Sequence, residues 1–422
     1  MTSNPAIRKV RDRMASTISP TRTDEHAATI DEVSKRLEQD SDFLLISAYS
    51  MYFDVVKLIA GVAQQKNVPV LVGGPMFTVP QVTEAWLKIP GVSAIYAGEA
   101  DTKIEEIIAA TCSPTVKMSG LYRRSDDMGP AAPPLTNLDA LPFADYSDFP
   151  WHRYPRKIVP MMTGRGCGWG VCTFCSDVLI ASGRSFRTRS LDYVIGEINF
   201  QKSQHGTQIF NFIDLKLNSD LTVWKGLAER LPIVAPDTEW TASLHVNRNG
   251  DNGLSLQELR EANRAGLSRV TTGLESGSNT ILNSMARGTS TEALSQFVRY
   301  AHEAGLSVRM TSIIGFPGET ATQVDETTDF LRRHFMYLDR VVVNRLAISP
   351  LTTLWQQVRR GKGHFDAIRN TRLNIKTGLV DHENLTFRDK HHLRAVSRLL
   401  AQVHRINRKP LVGGGLTFEG VF

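Results

Sequence analysis

Three cysteines within nine residues, Cys167, Cys172 and Cys175 in the run MMTGRGCGWGVCTFCSD, are the strongest chemical signal in the sequence. Thiolates are soft ligands for zinc and for iron–sulfur clusters, and crowding them on one loop points to metal before disulfide in a reducing compartment. The spacing is C-x4-C-x2-C, short enough for three sulfurs to converge on one cubane, and Gly164, Gly166, Gly168 and Gly170 let the backbone wrap closely around an inorganic core. Zinc is the competing metal. A structural zinc site wants four protein ligands, however, and neither a second CxxC nor a nearby histidine pair accompanies the three cysteines, so a [4Fe–4S] cluster is favoured. The missing fourth thiolate leaves one iron open to a substrate or cofactor. Cys112 stands alone after a helical pattern and reads as a small buried apolar residue.

Such a loop needs a scaffold, and the flanking sequence supplies one. From Ile158 to about Ser349 six apolar runs alternate with amphipathic segments: 158–163, 208–214, 239–246, 269–275, 307–315 and 340–348, with helices expected over 191–201, 221–231, 256–265, 291–304 and 321–335. Six β/α units with no readable reversal of strand order predict a partial (β/α)6 TIM barrel over 157–350, with chemistry at the C-terminal strand ends, where the cysteine loop lies. Upstream, FLLISA (43–48), PVLVGG (69–74) and AIYAGE (94–99) alternate with helical patterns at 55–64, 80–87 and 102–110. This predicts a partial Rossmann-like parallel sheet over 42–112, with a ligand edge where the strands end in Ser or Gly. Residues 1–41 form a polar segment with a helix near Ala28 to Gln39, and 113–156 form a proline-rich linker. Residues 351–422 form a helical C-terminal tail whose His391, His392 and His404 read as exposed helix residues rather than ligands.

The 422 residues suffice for two or three α/β domains, and 41% hydrophobic with 22% charged residues is the composition of a globular protein. The 49 basic and 43 acidic residues are interspersed, giving a net charge of +6, and clusters such as Arg184 to Arg189 are short. A solvated face explains this excess better than nucleic-acid binding does. The basic start, Met1 to Ala15, lacks an apolar core and no run approaches eighteen apolar residues, so neither secretion nor membrane spanning is expected and the cytoplasm is the expected compartment.

The cysteine loop resembles that of the radical SAM superfamily, with an aromatic residue, Phe174, just before the last cysteine. The usual spacing in that family is C-x3-C-x2-C, and this chain carries one extra residue in the first gap, which holds Gly168, Trp169, Gly170 and Val171. GLESGS (273–278), followed by ILNSMARG, resembles the family's fourth-strand region, and GFPGET (315–320) resembles the fifth-strand motif that contacts adenine. The resemblance implies that the open iron binds S-adenosylmethionine and that an electron from the reduced cluster breaks a carbon–sulfur bond. It further implies that Phe174, Asp214, Glu275, Ser276, Gly315 and Gly318 contact that cofactor. Glu275 would offer a carboxylate to the ribose hydroxyls or the amino group, while Gly315 and Gly318 would permit close backbone approach. Asp214 is placed to meet the amino group or to order the barrel mouth, and N-capping the next turn is an equal reading. Arg187 and Arg189 resemble a position following the cluster loop, with pairing to surface carboxylates as the plainer role.

The first domain resembles the second half of the cobalamin-binding domain that precedes the barrel in many radical SAM enzymes, with Ser47, Gly73, Gly74, Gly98 and Glu99 at the strand ends. A D-x-H-x-x-G motif is lacking, so a histidine ligating cobalt from below is not indicated. With cobalamin, the resemblance implies methylation of an unreactive carbon or phosphorus of a small metabolite or natural product, and an electron donor such as flavodoxin or ferredoxin. Without it, different cleavage of the sulfonium is implied, such as 3-amino-3-carboxypropyl transfer. A third reading is a binding or maturation protein with a structural or electron-transferring cluster. Tyr49, Tyr52, Trp169 and the tail are candidates to line the substrate pocket.

Overall fold

A computed structural model describes residues 22–37, 41–113, 115–124, 129–176, 185–361, 363–411 and 413–421; the basic start Met1 to Ala15 and Arg184 lie outside them. The chain divides into two compact units. One runs to Pro133 and takes in Asn374–Gly378, and the other begins at Pro134 and omits that segment, so the division falls inside the proline-rich stretch.

In the first unit β1 (Leu44–Ser47), β2 (Val70–Gly73) and β3 (Val92–Tyr96) run parallel, with Leu44 beside Val70 and Val72 beside Ile95. A short β4 (Leu121–Tyr122) pairs antiparallel to β3. Helices Phe53–Gln65, Pro80–Leu87 and Ile104–Cys112 follow the three parallel strands, and Val70, Leu71 and Val72 are buried in succession, which is why β2 reads as a continuous apolar run. Trp86 anchors the interior. It is fully buried, edge-on to Phe53 at 5.0 Å and Phe77 at 5.2 Å, and its Nε1 donates to Ile375 O at 3.2 Å. The first helix spans Arg22–Arg36, earlier than its apolar spacing suggests. Cys112 is exposed, contrary to expectation, because it stands two residues past Ala110 and so points away from the face that Ile107 and Ala110 bury.

The second unit contains β5 (Val159–Met161), a hairpin of β6 (Gly164–Arg165) and β7 (Arg187–Thr188), and then β8 (Ile209–Phe212), β9 (Glu239–Ser243), β10 (Leu267–Glu275), β11 (Ser307–Ile314) and β12 (Arg340–Arg345). Six of these form one parallel sheet ordered β5-β8-β9-β10-β11-β12, each strand laid beside the last. A strand order that never reverses is that of a barrel and not of a doubly wound sheet. Helices Leu191–His205, Leu221–Val234, Leu256–Arg264, Thr291–Glu303 and Ala321–Arg333 cover it, each begun by a side-chain cap from Ser190, Asp220, Ser255, Ser290 or Thr320. Ser255 with Glu258 and Thr320 with Gln323 complete capping boxes. Phe212, Trp224 and Trp240 meet edge to face in the core, and the two indole N–H groups donate to Gly253 O and Ala265 O, both at 2.8 Å.

The C-terminal part adds an antiparallel hairpin, β13 (Ile368–Leu373) and β14 (Val380–Asn384), before the helix Lys390–Asn407. Its outward Arg369, Asn370 and Thr371 dilute the apolar alternation that marks a strand. Asn407 ends the helix against β12: its Oδ1 accepts Val341 N and its Nδ2 donates to Val341 O, both at 2.8 Å, so one amide side chain occupies the edge that a further strand would pair. His391 and His404 are exposed as expected, but His392 is fully buried, three and four residues before Ala395 and Val396 on the inward face. No helix among the described residues is long and apolar enough to cross a membrane. Asn407→Ala should leave Val341 N–H and C=O without partners and lower stability by about 1–3 kcal/mol, read as a lower urea midpoint.

Candidate active site

The cysteine loop leaves the sheet at the C-terminal end of β5 and is pinched at its neck. Gly164 pairs with Thr188 and Arg165 with Arg187 across β6 and β7. A Cβ at Gly166, where φ is 91°, would lie 2.2 Å from Ser185 O, so only glycine lets the two sides of the neck close. Asp214, just past the end of β8, fastens this neck to the sheet. Its Oδ1 accepts Thr163 N (3.1 Å), Thr163 Oγ1 (2.8 Å) and Gly164 N (2.7 Å), and Oδ2 accepts Thr163 N at 3.0 Å. Of the roles open to it in the sequence, ordering the mouth is the one these bonds perform, and it caps no helix. Burial pushes its carboxyl up to about 6, opposed by the bonds from Thr163 and Gly164.

Beyond the neck, Cys167, Cys172 and Cys175 are half-buried and not disulfide-bonded. Burial pushes the Cys172 thiol up to about 11; Arg287 pulls it down, and Cys175 and Cys167 push it further up, so the three sulfurs sense one another. Among the described residues no three His, Cys, Asp or Glu side chains converge on a single metal ion. The sulfurs of a cubane each hold a different iron, so a soft three-thiol set on one wrapped loop fits an iron–sulfur cluster. The loop is hung on the turn that follows the helix Asn279–Ser284: Thr173 N donates to Met285 O at 2.9 Å and Trp169 Nε1 to Ala286 O at 2.9 Å. Phe174 packs with the apolar group that includes Ile281, Met285 and Phe316.

Glu275 ends β10 on a strained backbone. The register with β11 slips between Gly273 and Glu275, Glu275 has φ of 56°, and Ser276 N donates back to Leu274 O at 2.7 Å, closing a three-residue turn. A carboxylate side chain held at positive φ inside a buried turn is stored strain, which concentrates at functional positions. Gly273 makes room for it, since a Cβ there would sit 1.8 Å from Glu275 Oε1. Ser276 is fully buried and its hydroxyl accepts Ser278 N at 3.2 Å, so its side chain braces the turn.

Two cationic groups that the sequence does not single out, Arg287 and Lys216, act on this carboxylate, and His245 stands beside Arg287. Arg287 Nε lies 3.7 Å from Glu275 Oε1, both side chains largely buried. Burial raises the Glu275 carboxyl while Arg287, Lys216 and a bond with Thr311 lower it. The Lys216 ammonium is pushed down to about 8 by burial and then by Arg287, and is pulled up by Glu275, Cys167 and Cys175. His245 is pushed down to about 3 by burial, Arg287 and Lys216, and so stays neutral. Their signal in the sequence is weak but present: Lys216 and His245 are polar residues just past the C-terminal ends of β8 and β9, and Arg287 lies in the ILNSMARG run.

On the neighbouring strand, Gly315 (φ 83°) and Gly318 (φ 86°) shape the turn after β11. The close approach they allow is made by the chain itself: a Cβ on Gly315 would lie 2.7 Å from the Phe387 ring, and one on Gly318 would lie 3.1 Å from the His364 ring. Gly315 is held by Glu319 Oε2, which accepts its N–H at 2.7 Å, and by Asn384 Nδ2, which donates to its carbonyl at 2.6 Å, with His392 Nε2 3.2 Å from Glu319. Arg189 is buried against Glu197 at 2.5 Å, not paired at the surface, and Arg187 donates to Leu135 O. In the first unit, Ser47 and Gly98 are exposed, and Gly73, Gly74 and Glu99 half-exposed, in and just past the C-terminal ends of β1–β3; Tyr49 and Tyr52 beside them are exposed as well. Gly74 and Gly98 are required by the unit's own packing, because a Cβ would lie 2.0 Å from Ala48 O and 2.7 Å from Ala132 Cβ respectively.

Residues 161–331 match the family model of the Radical SAM superfamily. An uncharacterized methyltransferase of Pyrococcus horikoshii is 27% identical over 341 residues, covering 78% of this chain and 71% of that one. The ribosomal protein uS12 methylthiotransferase of Solibacter usitatus is 30% identical over 187 residues, 42% of this chain and 39% of its own. Among solved structures, the radical S-adenosylmethionine methyltransferase TsrM from Kitasatospora setae, with cobalamin and a [4Fe–4S] cluster bound, superposes with a TM-score of 0.67 at 16% identity over 91% of this chain and 83% of that one. The cobalamin-dependent S-adenosylmethionine radical enzyme OxsB superposes at 0.70, with 17% identity over 87% and 59%. At such identities the superpositions establish the fold, an N-terminal parallel-sheet unit followed by a partial barrel.

The raised Asp214 carboxyl makes a pH prediction. Its folded value of about 6 lies above the unfolded 3.8, so the stability this group contributes is complete below about pH 4 and is lost as pH rises through 6. Asp214→Asn, neutral throughout, should therefore gain on wild type by up to about 3 kcal/mol between pH 4 and pH 7. Urea midpoints of the two proteins across that range measure the gain, and a gap independent of pH would contradict it.

Proposed function

We propose, from the premise that residues 161–331 form a radical SAM domain, that the chain is a cobalamin-dependent radical S-adenosylmethionine methyltransferase acting on an unactivated carbon or phosphorus of a small metabolite or natural product. One observation carries the reading: three half-buried cysteines on a loop fastened by Asp214 lie at the same end of the sheet as the strained Glu275 and its cationic neighbours. A [4Fe–4S] cluster held by Cys167, Cys172 and Cys175 would supply the open iron for S-adenosylmethionine and the electron that breaks its carbon–sulfur bond.

The chain's own residues then bind and orient. Glu275 accepts hydrogen bonds from the amino group or the ribose hydroxyls, and its fixed turn holds that carboxylate in one direction before the ligand arrives. Lys216 and Arg287 bring positive charge beside it, which suits the ligand's carboxylate. The turn Gly315–Gly318, whose Gly315 N–H and C=O are already taken by Glu319 and Asn384, would shape the sheet edge that the adenine meets rather than offer it those two groups. In the first unit the small residues Ser47, Gly73, Gly74 and Gly98, with Glu99 and the exposed Tyr49 and Tyr52, form the edge suited to a flat corrin. The methyl group would come from methylcobalamin, and the electron from a donor such as flavodoxin or ferredoxin.

Anaerobic reconstitution with iron, sulfide and cobalamin tests the reading, with optical spectra for the two chromophores and mass spectrometry of the S-adenosylmethionine products. A protein that retains the cluster but no corrin spectrum would lose the methyltransferase assignment while keeping the cluster. Cys172→Ala should abolish turnover and the brown absorbance; an active, brown variant would refute the ligand set. Glu275→Gln should retain the absorbance and bind S-adenosylmethionine about 10- to 100-fold more weakly by equilibrium dialysis.

A further inference from the structure

Within the four-residue gap between Cys167 and Cys172, Trp169 has a definite seat. We infer that Trp169 is a positioning residue that locks the cysteine loop to the Arg287–Glu275 pair through His245, so that it governs S-adenosylmethionine affinity without touching a cluster ligand. The inference rests on the S-adenosylmethionine reading given above.

The stretch Gly166–Gly170 carries three glycines, two of them at positive φ, and so has little intrinsic order. Gly168 N donates to Ser219 Oγ at 3.1 Å, and the indole of Trp169 supplies the larger anchor. Besides the Nε1 bond to Ala286 O, the ring lies directly against Gly288, where a Cβ would come within 2.3 Å of its carbons, and it stacks on His245 at 5.5 Å and 21°. Ala286 and Gly288 both hold positive φ, at 51° and 70°, so this turn is shaped to receive the ring. Thr173, on the other side of Cys172, is tied to the same turn by its bond to Met285 O. The middle cysteine therefore hangs between two attachments to one short segment.

That segment also carries Arg287. Arg287 Nη1 lies 2.5 Å from His245 Nδ1, and a guanidinium only donates, so Nδ1 accepts and the imidazole proton sits on Nε2. Asn218 fixes His245 from behind, its Oδ1 accepting His245 N at 2.8 Å and its Nδ2 donating to His245 O at 2.9 Å. The ring that Trp169 stacks on is thus the ring that aims Arg287, and Arg287 faces Glu275 at 3.7 Å. Removing the indole loosens the Trp169 side of the loop and the imidazole together, and with them the orientation of the carboxylate, while Gly168 and Thr173 keep their own bonds.

The test uses the full chain, reconstituted anaerobically, as wild type, Trp169→Phe, Trp169→Ala, His245→Ala and the double alanine variant. Iron and sulfide content and visible absorbance report the cluster; equilibrium dialysis reports S-adenosylmethionine affinity; electron paramagnetic resonance of the reduced cluster with and without S-adenosylmethionine reports the docked geometry. Trp169→Ala should keep wild-type iron content, bind S-adenosylmethionine about 10- to 100-fold more weakly and lose the spectral change on binding. Trp169→Phe, which keeps a stacking ring but lacks the N–H, should fall between, and the double variant should be no weaker than the weaker single. Wild-type affinity in Trp169→Ala, fully additive losses in the double variant, or cluster loss in Trp169→Phe and Trp169→Ala alike would each overturn the inference. A wild type that takes up the cluster but not S-adenosylmethionine would instead overturn the proposed function, and this inference with it.

Discussion

The bonds that Asp214 accepts from Thr163 and Gly164 join the two things this protein combines, a rigid parallel sheet and a glycine-rich loop that carries three cysteines. Glycine at 164, 166, 168 and 170 gives the loop its reach, and the same residues deprive it of any preferred shape. A buried carboxylate with two backbone N–H groups and a hydroxyl converging on it restores that shape at the neck. The cost is a desolvated charge, seen in the upward shift of its carboxyl to about 6. Distal to the neck, the stretch that carries the three cysteines is held by this joint, by the turn at Met285 to Gly288, and by bonds of Gly168 to Ser219 and of Thr173 to Leu354.

A second constraint is the way charge is arranged at the mouth. Glu275 is held by strain, through a slipped register and a positive φ that a glutamate rarely adopts, and is balanced by Arg287 and Lys216. Buried groups of opposite sign hold each other's charge only if their geometry is kept. The surrounding structure keeps it through Asn218 behind His245, through His245 beside Arg287, and through Gly273, whose lack of a side chain leaves room for the carboxylate. These contacts explain why the residues around the cysteine loop are polar although most are buried.

The C-terminal part is integral to the site. His392 and Asn384 reach the turn after β11 from a helix and a hairpin some seventy residues downstream, and Asn407 covers the edge of β12. The tail substitutes for elements that a closed barrel would provide, satisfying backbone groups that would otherwise face water or remain unpaired.

Strand order, helix positions and the crowding of three cysteines on one loop were legible in the sequence, because each depends on residues close together in the chain. Apolar runs of strand length alternate with helical spacing, and the expected helix over 80–87 coincides with Pro80–Leu87. Three thiols within nine residues need no fold to be recognised. The tertiary structure alone decided what Asp214 binds, that Arg189 and His392 are buried, and that Lys216 and Arg287 act on Glu275 with His245 beside Arg287. His245 and Arg287 are 42 positions apart and His392 and Glu319 are 73 apart. No periodicity spans such distances; the first closes when consecutive parallel strands bring their C-terminal ends to one edge, and the second when the helix Lys390–Asn407 packs back toward the turn after β11.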